Sequence, residues 1–143
     1  MSKLAAIRIR GQIGIDVNIR KTLIVLKLLN KHVCAVFENT PSMKGMLVKV
    51  KDYVAWGEID DETYTLLMEK RGEEYKGPLK DKSGKIDYSK KYIEINGKKI
   101  KPVFRMHPPK GGYEKKGIKT PYTMGGALGY RADKMNDLVK KMI

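Results

Sequence analysis

The sequence predicts an α+β fold in which a β-α-β-α-β core of about sixty residues is followed by an extension with short elements of its own. Two observations lead to this prediction. Short β-branched or aromatic runs alternate with segments of helical periodicity up to residue 59. Beyond it the chain is rich in Gly, Pro and Lys and sparse in large apolar side chains, so a second independent domain is not expected. We therefore divide the chain into a core domain, residues 1–59, and an extension, residues 60–143.

The first two predicted elements are a strand and a helix. Residues 4–9 alternate loosely between apolar side chains and Arg8, and Arg10 follows, which predicts a strand with a basic face. Asp16 or Asn18 can then cap a helix that runs to about residue 30. The face of this helix that is predicted to point inward comprises Ile19, Leu23, Leu26 and Leu29.

A second strand, a second helix and a third strand complete the predicted core. Residues 32–38 and 53–59 are β-branched and aromatic runs, which favour strands. Thr40 is a competent N-cap, and Pro41 is tolerated at the first helical position because its missing N–H would be unpaired there anyway. The helix is predicted over residues 41–51. Its apolar side comprises Met43, Met46, Leu47 and Val50.

Gly45 projects from the opposite side of this second helix, flanked by Lys44 and Lys49. A glycine inside a helix costs about 1 kcal/mol relative to alanine, and no packing demand explains that cost at an outward position. Two interpretations stay open. Either another backbone, such as an RNA strand, approaches closely here, or the glycine occurs by chance on a solvent-exposed face.

The extension is predicted to contain two helices and a hairpin. An acidic start at residues 60–62 and the Arg-Gly pair at 71–72 bound the first helix. Residues 73–91 are predicted to be a polar loop. Asn96-Gly97 between two short β-branched runs is the strongest short hairpin signal. A last helix over residues 133–142 has an apolar stripe formed by Met135, Leu138 and Met142.

The composition points to a polyanionic partner. The chain has 143 residues, 30 Lys and Arg, 16 Asp and Glu, and a formal net charge of +14. The charge is spread over both parts: ten basic and four acidic side chains in 1–59, then twenty and twelve in 60–143. The electrostatic field of so positively charged a protein attracts nucleic acid first and anionic membranes second. No run approaches the roughly 20 apolar residues of a membrane span, and the single cysteine, Cys34, fits a cytosolic chain.

Enzymatic, metal and cofactor sites are not expected. Cys34, His32 and His107 have no tetrahedral ligand spacing, and Cys34 is predicted to be a small core residue. Residues 112–119 have the glycine spacing of a phosphate-binding loop but lack its Lys-Ser/Thr pair. Residues 125–129 depart from the dinucleotide-binding spacing. A helix N-terminus explains the acidic residues 60–62 better than a catalytic carboxylate cluster does.

Nucleic-acid binding explains more of the sequence than an enzymatic, metal-binding or cofactor-binding function does. Basic residues recur on several predicted elements, and residues 105–119 carry five positive charges against one negative. Phosphate neutralisation gives affinity without reading sequence. Tyrosines such as Tyr113 can stack on unpaired bases, and glycines such as Gly111 and Gly112 let the main chain approach a phosphodiester. The alternative is a solvated lysine-rich surface, which usually balances Lys with Glu, as this chain does not. The residues predicted to contact RNA are Arg8, Arg10, Arg20, Lys21, Lys44, Gly45, Lys49, Arg105, Lys110, Gly111, Gly112, Tyr113, Lys115, Lys116 and Arg131.

Two blocks of the sequence resemble one family. Residues 40–46 (TPSMKGM), after a β-α-β start, resemble the large-subunit ribosomal protein family numbered thirty in bacteria and archaea and seven in eukaryotes. Residues 108–112 (PPKGG) and 125–133 (GGALGYRAD) resemble the closing motifs of its archaeal and eukaryotic members. Residues 7–58 cover the part shared with the short bacterial form. The second of these motifs departs mildly from its eukaryotic form, which tends to have an acidic residue at the position of Ala127.

The resemblance implies a fold and a function. The fold is ferredoxin-like: a three-stranded antiparallel sheet with two helices packed on it, plus an extension that packs on this core and on RNA. The function is that of a structural constituent of the large ribosomal subunit, without catalysis or cofactor. The implied partners are large-subunit ribosomal RNA in the neighbourhood of the 5S RNA and neighbouring ribosomal proteins, with no membrane and no oligomer. A free-standing RNA-binding regulator or RNA chaperone is the alternative from a different class, since the same residues would serve it.

Overall fold

The computed structural model describes residues 3–78, 80, 82–85, 92–95 and 97–143, and its first elements follow the predicted order. In chain order they are β1 Lys3–Arg8, α1 Val17–Val25, β2 Val33–Glu38, α2 Pro41–Lys49 and β3 Val54–Ile59. The helix starts are confirmed. Asp16 caps α1, and the Thr40 hydroxyl accepts the N–H of Met43 at 3.2 Å in α2. The β-α-β-α-β core prediction is therefore confirmed.

In the described part of the extension there are two helices and four short strands. They are α3 Asp61–Arg71, β4 Ile93–Ile95, β5 Lys98–Ile100, β6 Val103–Arg105, β7 Gly129–Tyr130 and α4 Met135–Met142, with one-turn 3-10 helices at Tyr122–Met124 and Ala132–Lys134. β4 and β5 pair antiparallel, which confirms the predicted hairpin, although Asn96 of its turn lies outside the described residues. The predicted loop at 73–91 is described only in part.

The main sheet has five strands in the order β6-β2-β1-β3-β7. β1 lies at the centre and pairs antiparallel with β2 and β3, as the predicted three-stranded sheet requires. The extension adds a strand at each edge: β6 runs antiparallel to β2, and β7 runs parallel to β3. The sheet is therefore mixed, and both of its edges are completed by residues from the extension.

Each face of the central strand is buried in a different apolar cluster. Leu4 and Ala6 point into a cluster with α1 and α2, which includes Leu23 and Leu47. Ala5 and Ile7 point into the opposite cluster, which α3, α4 and the tail cover. Successive side chains of a strand alternate between faces, so an apolar residue at every position signals a strand that is covered on both sides.

The structure corrects two expectations about exposure. The basic face predicted for β1 does not form, because β1 ends at Arg8 and the Arg8 side chain is only 3% exposed. The tail, residues 101–143, belongs to the part of the chain that the sequence shows as sparse in large apolar side chains, yet it supplies a large share of the second cluster. Its buried members are Phe104, Met106, Ala127, Leu128, Met135, Leu138, Val139 and Met142.

Helix α1 ends about five residues before the predicted end. The N–H of Leu28 bonds to the carbonyl of Leu23 at 2.9 Å, and that of Lys27 bonds to Ile24 at 3.0 Å, with Lys27 in the left-handed region at φ 62°. These two bonds form a Schellman C-cap. The reversal brings Leu28 into the core beside Leu23, whereas Leu29, predicted to point inward, is 50% exposed.

Cys34 lies in the core, as predicted. It is fully buried in β2, and burial raises the pKa of its thiol to about 12. A thiol with so high a pKa is protonated at neutral pH, so it is a poor nucleophile and a poor metal ligand. Cys34 is therefore a small apolar packing residue.

Candidate nucleic-acid interface

The outer surface of α2 is the best-formed part of the predicted interface. Leu47 is fully buried, which fixes the rotation of the helix against the sheet. Lys44, Gly45 and Lys49 are consequently exposed. Among the described residues, nothing lies within 4 Å of the position that a Cβ atom would take at Gly45. No protein contact therefore explains this glycine, and an outside molecule can approach the helix backbone there.

The predicted contacts on α1 are also exposed. Arg20 and Lys21 lie on the solvent side of the helix. They share this surface with Val17 and Ile24, which are 64% and 52% exposed. The surface of α1 is therefore mixed, with cationic and apolar side chains next to each other.

Arg8 is inside the protein. Its guanidinium donates to the carbonyls of Leu28 at 2.9 Å and Leu29 at 3.0 Å, and its Nε donates to the carbonyl of Arg10 at 3.0 Å. Burial, and then the positive charge of Arg20, lower the pKa of Arg8. The carbonyls of the turn that follows α1 thus find a donor in Arg8, which favours a structural role over direct contact with RNA. Arg10 is only half-buried and lies over the ring of Tyr53.

The tail presents a basic loop with exposed main chain. Lys110, Gly111 and Gly112 are exposed, and the two glycines have φ of 79° and 85°. Residues that carry a side chain rarely adopt this left-handed backbone conformation, so the turn itself requires glycine. Lys115 and Lys116 follow and are exposed as well. Arg105 is exposed at the end of β6, with its Nε 3.4 Å from a carboxylate oxygen of Glu73.

Tyr113 anchors this loop rather than presenting a free ring. Its hydroxyl lies 2.6 Å from Nδ1 of His32, and the two rings stack with centroids 5.9 Å apart. Burial raises the pKa of Tyr113 to about 12, and burial together with Lys31 lowers the pKa of His32. A protonated phenol and a neutral imidazole can share one hydrogen bond here, and its direction depends on which ring nitrogen of His32 carries the proton. The half-buried ring therefore fixes the loop on the start of β2.

Arg131 is the buried centre of the tail. Its Nη1 forms an ion pair with Glu114 at 2.9 Å, its Nη2 donates to the carbonyl of Ala127 at 3.1 Å, and its guanidinium lies 4.8 Å from the ring centroid of Tyr122. The side chain is 3% exposed. Arg131 thus ties three tail segments together, and its burial does not favour contact with RNA.

The core and the tail meet at a groove that the sequence did not predict. The groove has a volume of about 420 Å³ and is lined by Val48 and Lys51 at the end of α2 and by Tyr122 and Tyr130 of the tail. Trp56 of β3 forms part of it. The pairing of β3 with β7 brings these parts together, and a parallel pair as short as Gly129–Tyr130 leaves no periodic signal in the sequence.

The acidic cluster at the start of α3 has a structural explanation. The carboxylate of Asp60 accepts the N–H of Thr63 at 2.7 Å, and the side chain and then the main chain of Thr63 lower the pKa of Asp60. Asp61 forms an exposed ion pair with Lys3 at 3.0 Å. Within the described ranges, no group of three or more His, Cys, Asp or Glu could hold a metal ion. None of the helices found there is long and apolar enough to cross a membrane.

We expect Gly45→Glu to stabilise the free protein slightly and to weaken binding to RNA. Glutamate has a better helix propensity than glycine by roughly 0.5–1 kcal/mol, and the position has room for it. Its bulk and charge would however meet any phosphate backbone that approaches Gly45. The measurements are thermal unfolding and binding to large-subunit ribosomal RNA. Higher stability with unchanged RNA affinity would favour the chance occurrence of glycine on this face.

Comparison with known proteins identifies the family. The sequence profile described as ribosomal protein L30p/L7e matches residues 4–54. The chain is 43% identical to large ribosomal subunit protein uL30 of Methanopyrus kandleri, over 94% of this chain and 99% of that protein. It is 39% identical to the protein of the same name in Nanoarchaeum equitans, over the whole of both chains. With uL30 of Methanococcus maripaludis (strain C5) it shares 40% over 97% of this chain and 98% of that protein. The chain therefore belongs to the L30p/L7e family of ribosomal proteins, in its archaeal form.

Proposed function

We propose that this chain is a structural constituent of the large ribosomal subunit and that it binds large-subunit ribosomal RNA through the exposed surface of α2 and the basic tail loop. The L30p/L7e family consists of ribosomal proteins, which are structural components rather than enzymes. The observation that carries the placement of the interface is the open backbone at Gly45 between the exposed Lys44 and Lys49. Phosphate groups need cations within reach, and a helix position without a side chain lets a nucleic-acid strand come close to those cations.

Burial refines the set of proposed contacts. Arg8, Arg131 and Tyr113 bind protein groups, so we assign them to the scaffold. Arg8 holds the segment that follows α1, and Arg131 and Tyr113 hold the tail. The remaining predicted residues have side chains or main chain open to RNA. The proposed contacts are Arg10, Arg20, Lys21, Lys44, Gly45, Lys49, Arg105, Lys110, Gly111, Gly112, Lys115 and Lys116.

The double change Lys44→Ala and Lys49→Ala tests the placement. Each lysine that neutralises a phosphate contributes about 0.7–0.9 to the slope of log affinity against log salt. Loss of both is therefore expected to lower this slope by about 1.4–1.8 and to weaken binding at low salt. The measurement is a salt titration of binding to protein-free large-subunit ribosomal RNA.

A matched control variant removes two positive charges from another part of the surface. Lys70 at the end of α3 and Lys98 of β5 are exposed lysines outside the proposed contacts. The change Lys70→Ala and Lys98→Ala should leave the slope nearly unaltered. Equal slopes for the two double variants would mean that only the net charge matters, and a wild-type slope for Lys44→Ala and Lys49→Ala would place the interface elsewhere.

The location within the subunit is a finer proposal. The resemblance to the family implies a site in the neighbourhood of the 5S RNA. Cross-linking from the exposed Lys110 or Lys115 in assembled subunits, followed by sequencing of the attached RNA, tests this. Cross-links confined to RNA far from the 5S particle would contradict the location and leave the ribosomal assignment intact.

A further inference from the structure

We infer that the groove between α2 and the tail binds one unpaired nucleobase of the large-subunit RNA. This inference rests on the proposed function, because it needs an RNA strand on the α2 surface. The proposed contacts described above reach only phosphates, and the groove would add a subsite for a base. The chain would then recognise a particular bulged or looped nucleotide as well as the charge of the backbone.

The groove has an aromatic wall that is built by protein packing. The rings of Trp56 and Tyr130 have centroids 4.6 Å apart and an interplanar angle of 40°. Trp56 is 6% exposed, whereas Tyr130 is 43% exposed. A hydrogen bond to Glu58 contributes to the raised pKa of Tyr130, after burial and the charge of Glu58. Tyr130 thus packs against Trp56, and its exposed ring offers a face on which a base can stack.

The groove is continuous with the α2 surface. Val48 lies three residues after Gly45 on the same helix, so the two share a face, and Val48 lines the groove while 53% exposed. At the other rim, Gly129 has φ of 91°, and no described atom lies within 4 Å of its Cβ position. A strand that passes Gly45 therefore reaches the groove within about one helical turn, roughly 5 Å.

The charges around the groove suit a nucleotide better than an apolar protein segment. Lys51 lines the groove and Lys49 is exposed one residue after Val48, so phosphates on both sides of a bound base would meet cations. Asp52 also lines it, and its carboxylate can accept a hydrogen bond from the amino group of a base. The indole N–H of the buried Trp56 has no acceptor among the described residues. An apolar peptide would leave these charged groups without a partner.

Trp56 gives a direct signal of occupancy, because it is the only tryptophan in the sequence. A base stacked in the groove is expected to quench its emission by about half or more. Heparin serves as the control polyanion, since it competes for cations but carries no bases. It should displace RNA while leaving the emission of the free protein unchanged.

The blocking variant is Val48→Met with Thr123→Met. Both residues are exposed and line the groove from two different elements, so longer apolar side chains fill it without changing charge. We expect a loss of RNA affinity of about tenfold, as for other base-stacking contacts, together with loss of quenching and an unchanged salt slope.

A second groove, which is lined by acidic side chains, offers a matched control. A groove of about 420 Å³ on α3 is lined by Glu62, Thr65, Leu66 and Glu69. Thr65→Met with Leu66→Met fills this acidic groove and should change neither affinity nor quenching.

The outcomes separate the two proposals. Full RNA affinity with unquenched Trp56 emission would overturn the base-binding groove and leave the proposed function standing. Absence of any salt-dependent RNA binding would overturn both. A Trp56 response that appears only when large-subunit proteins are added would show that a protein segment occupies the groove, which also overturns the inference.

Discussion

Gly57→Ala is expected to destabilise the protein by roughly 2–3 kcal/mol and to lower Tm by about 10 °C. Gly57 lies in β3, and the turn that leads into α4 crosses the strand at this residue. A Cβ atom there would lie 2.5 Å from the carbonyl oxygen of Ala132 and 2.8 Å from Cβ of Met135. Neither neighbour is the far end of a flexible side chain. The 3-10 turn and the start of α4 would have to move, and the fully buried Met135 would lose packing.

Gly45→Ala is the matched control for this prediction. It is the same substitution at a glycine with open space around it. In the middle of α2 it should stabilise the protein by about 1 kcal/mol. The measurement is thermal and urea unfolding of both variants against the parent chain. If Gly57→Ala unfolded at the same temperature as the parent chain, the close approach of residue 132 to β3 would be contradicted.

Arg131→Met is expected to cost about 3 kcal/mol while leaving the RNA salt slope unchanged. Methionine keeps the apolar stem and removes the guanidinium, so the carboxylate of Glu114 and the carbonyl of Ala127 lose their donor. The cost lies at the low end of the range for a broken buried pair, because Glu114 remains 30% exposed. Urea unfolding gives the stability. A salt titration with RNA, at a temperature where the variant is folded, gives the slope.

A double-mutant cycle with Glu114→Gln isolates the ion pair. Glu114→Gln alone should cost about 1 kcal/mol, since the amide oxygen can still accept a hydrogen bond from Arg131. The double variant should be more stable than the sum of the two losses predicts, because no carboxylate is left unpaired. Strict additivity would mean that the 2.9 Å pair contributes little. A salt slope reduced by about 0.7–0.9 in Arg131→Met would return Arg131 to the set of phosphate contacts.

Local signals were sufficient to predict most elements of the fold. Asp16, Thr40 and Asp60 each start a helix, and the stripe of Met135, Leu138 and Met142 identifies α4. Each of these depends on contacts within a few residues, which a single sequence displays. The early end of α1 was missed because the left-handed residue of its cap is Lys27 rather than the usual glycine.

The long-range arrangement was harder to predict. Nothing local indicates that Gly129-Tyr130 pairs with β3 or that the tail covers the second face of the sheet. The unbroken apolar run from Leu4 to Ile7 indicates only that both faces of β1 are covered, not by which segment, since a strand with one solvent-exposed face would alternate. For the candidate site, exposed lysines on α2 followed from helical spacing. The burial of Arg8 and Arg131 could not be predicted, because composition does not show which cationic side chains bind protein carbonyls.

The two-sided burial of β1 has a consequence for synthesis. The central strand is made first, and the layer that covers its second face includes Met142, almost at the end of the chain. At roughly 5–20 residues per second, the interval between completing β3 and completing α4 is on the order of ten seconds. During that time Ala5 and Ile7 lack their native cover, and an apolar sheet face is available to chaperones or to misassociation. We therefore expect the chain to become resistant to proteolysis only after α4 has emerged from the exit tunnel.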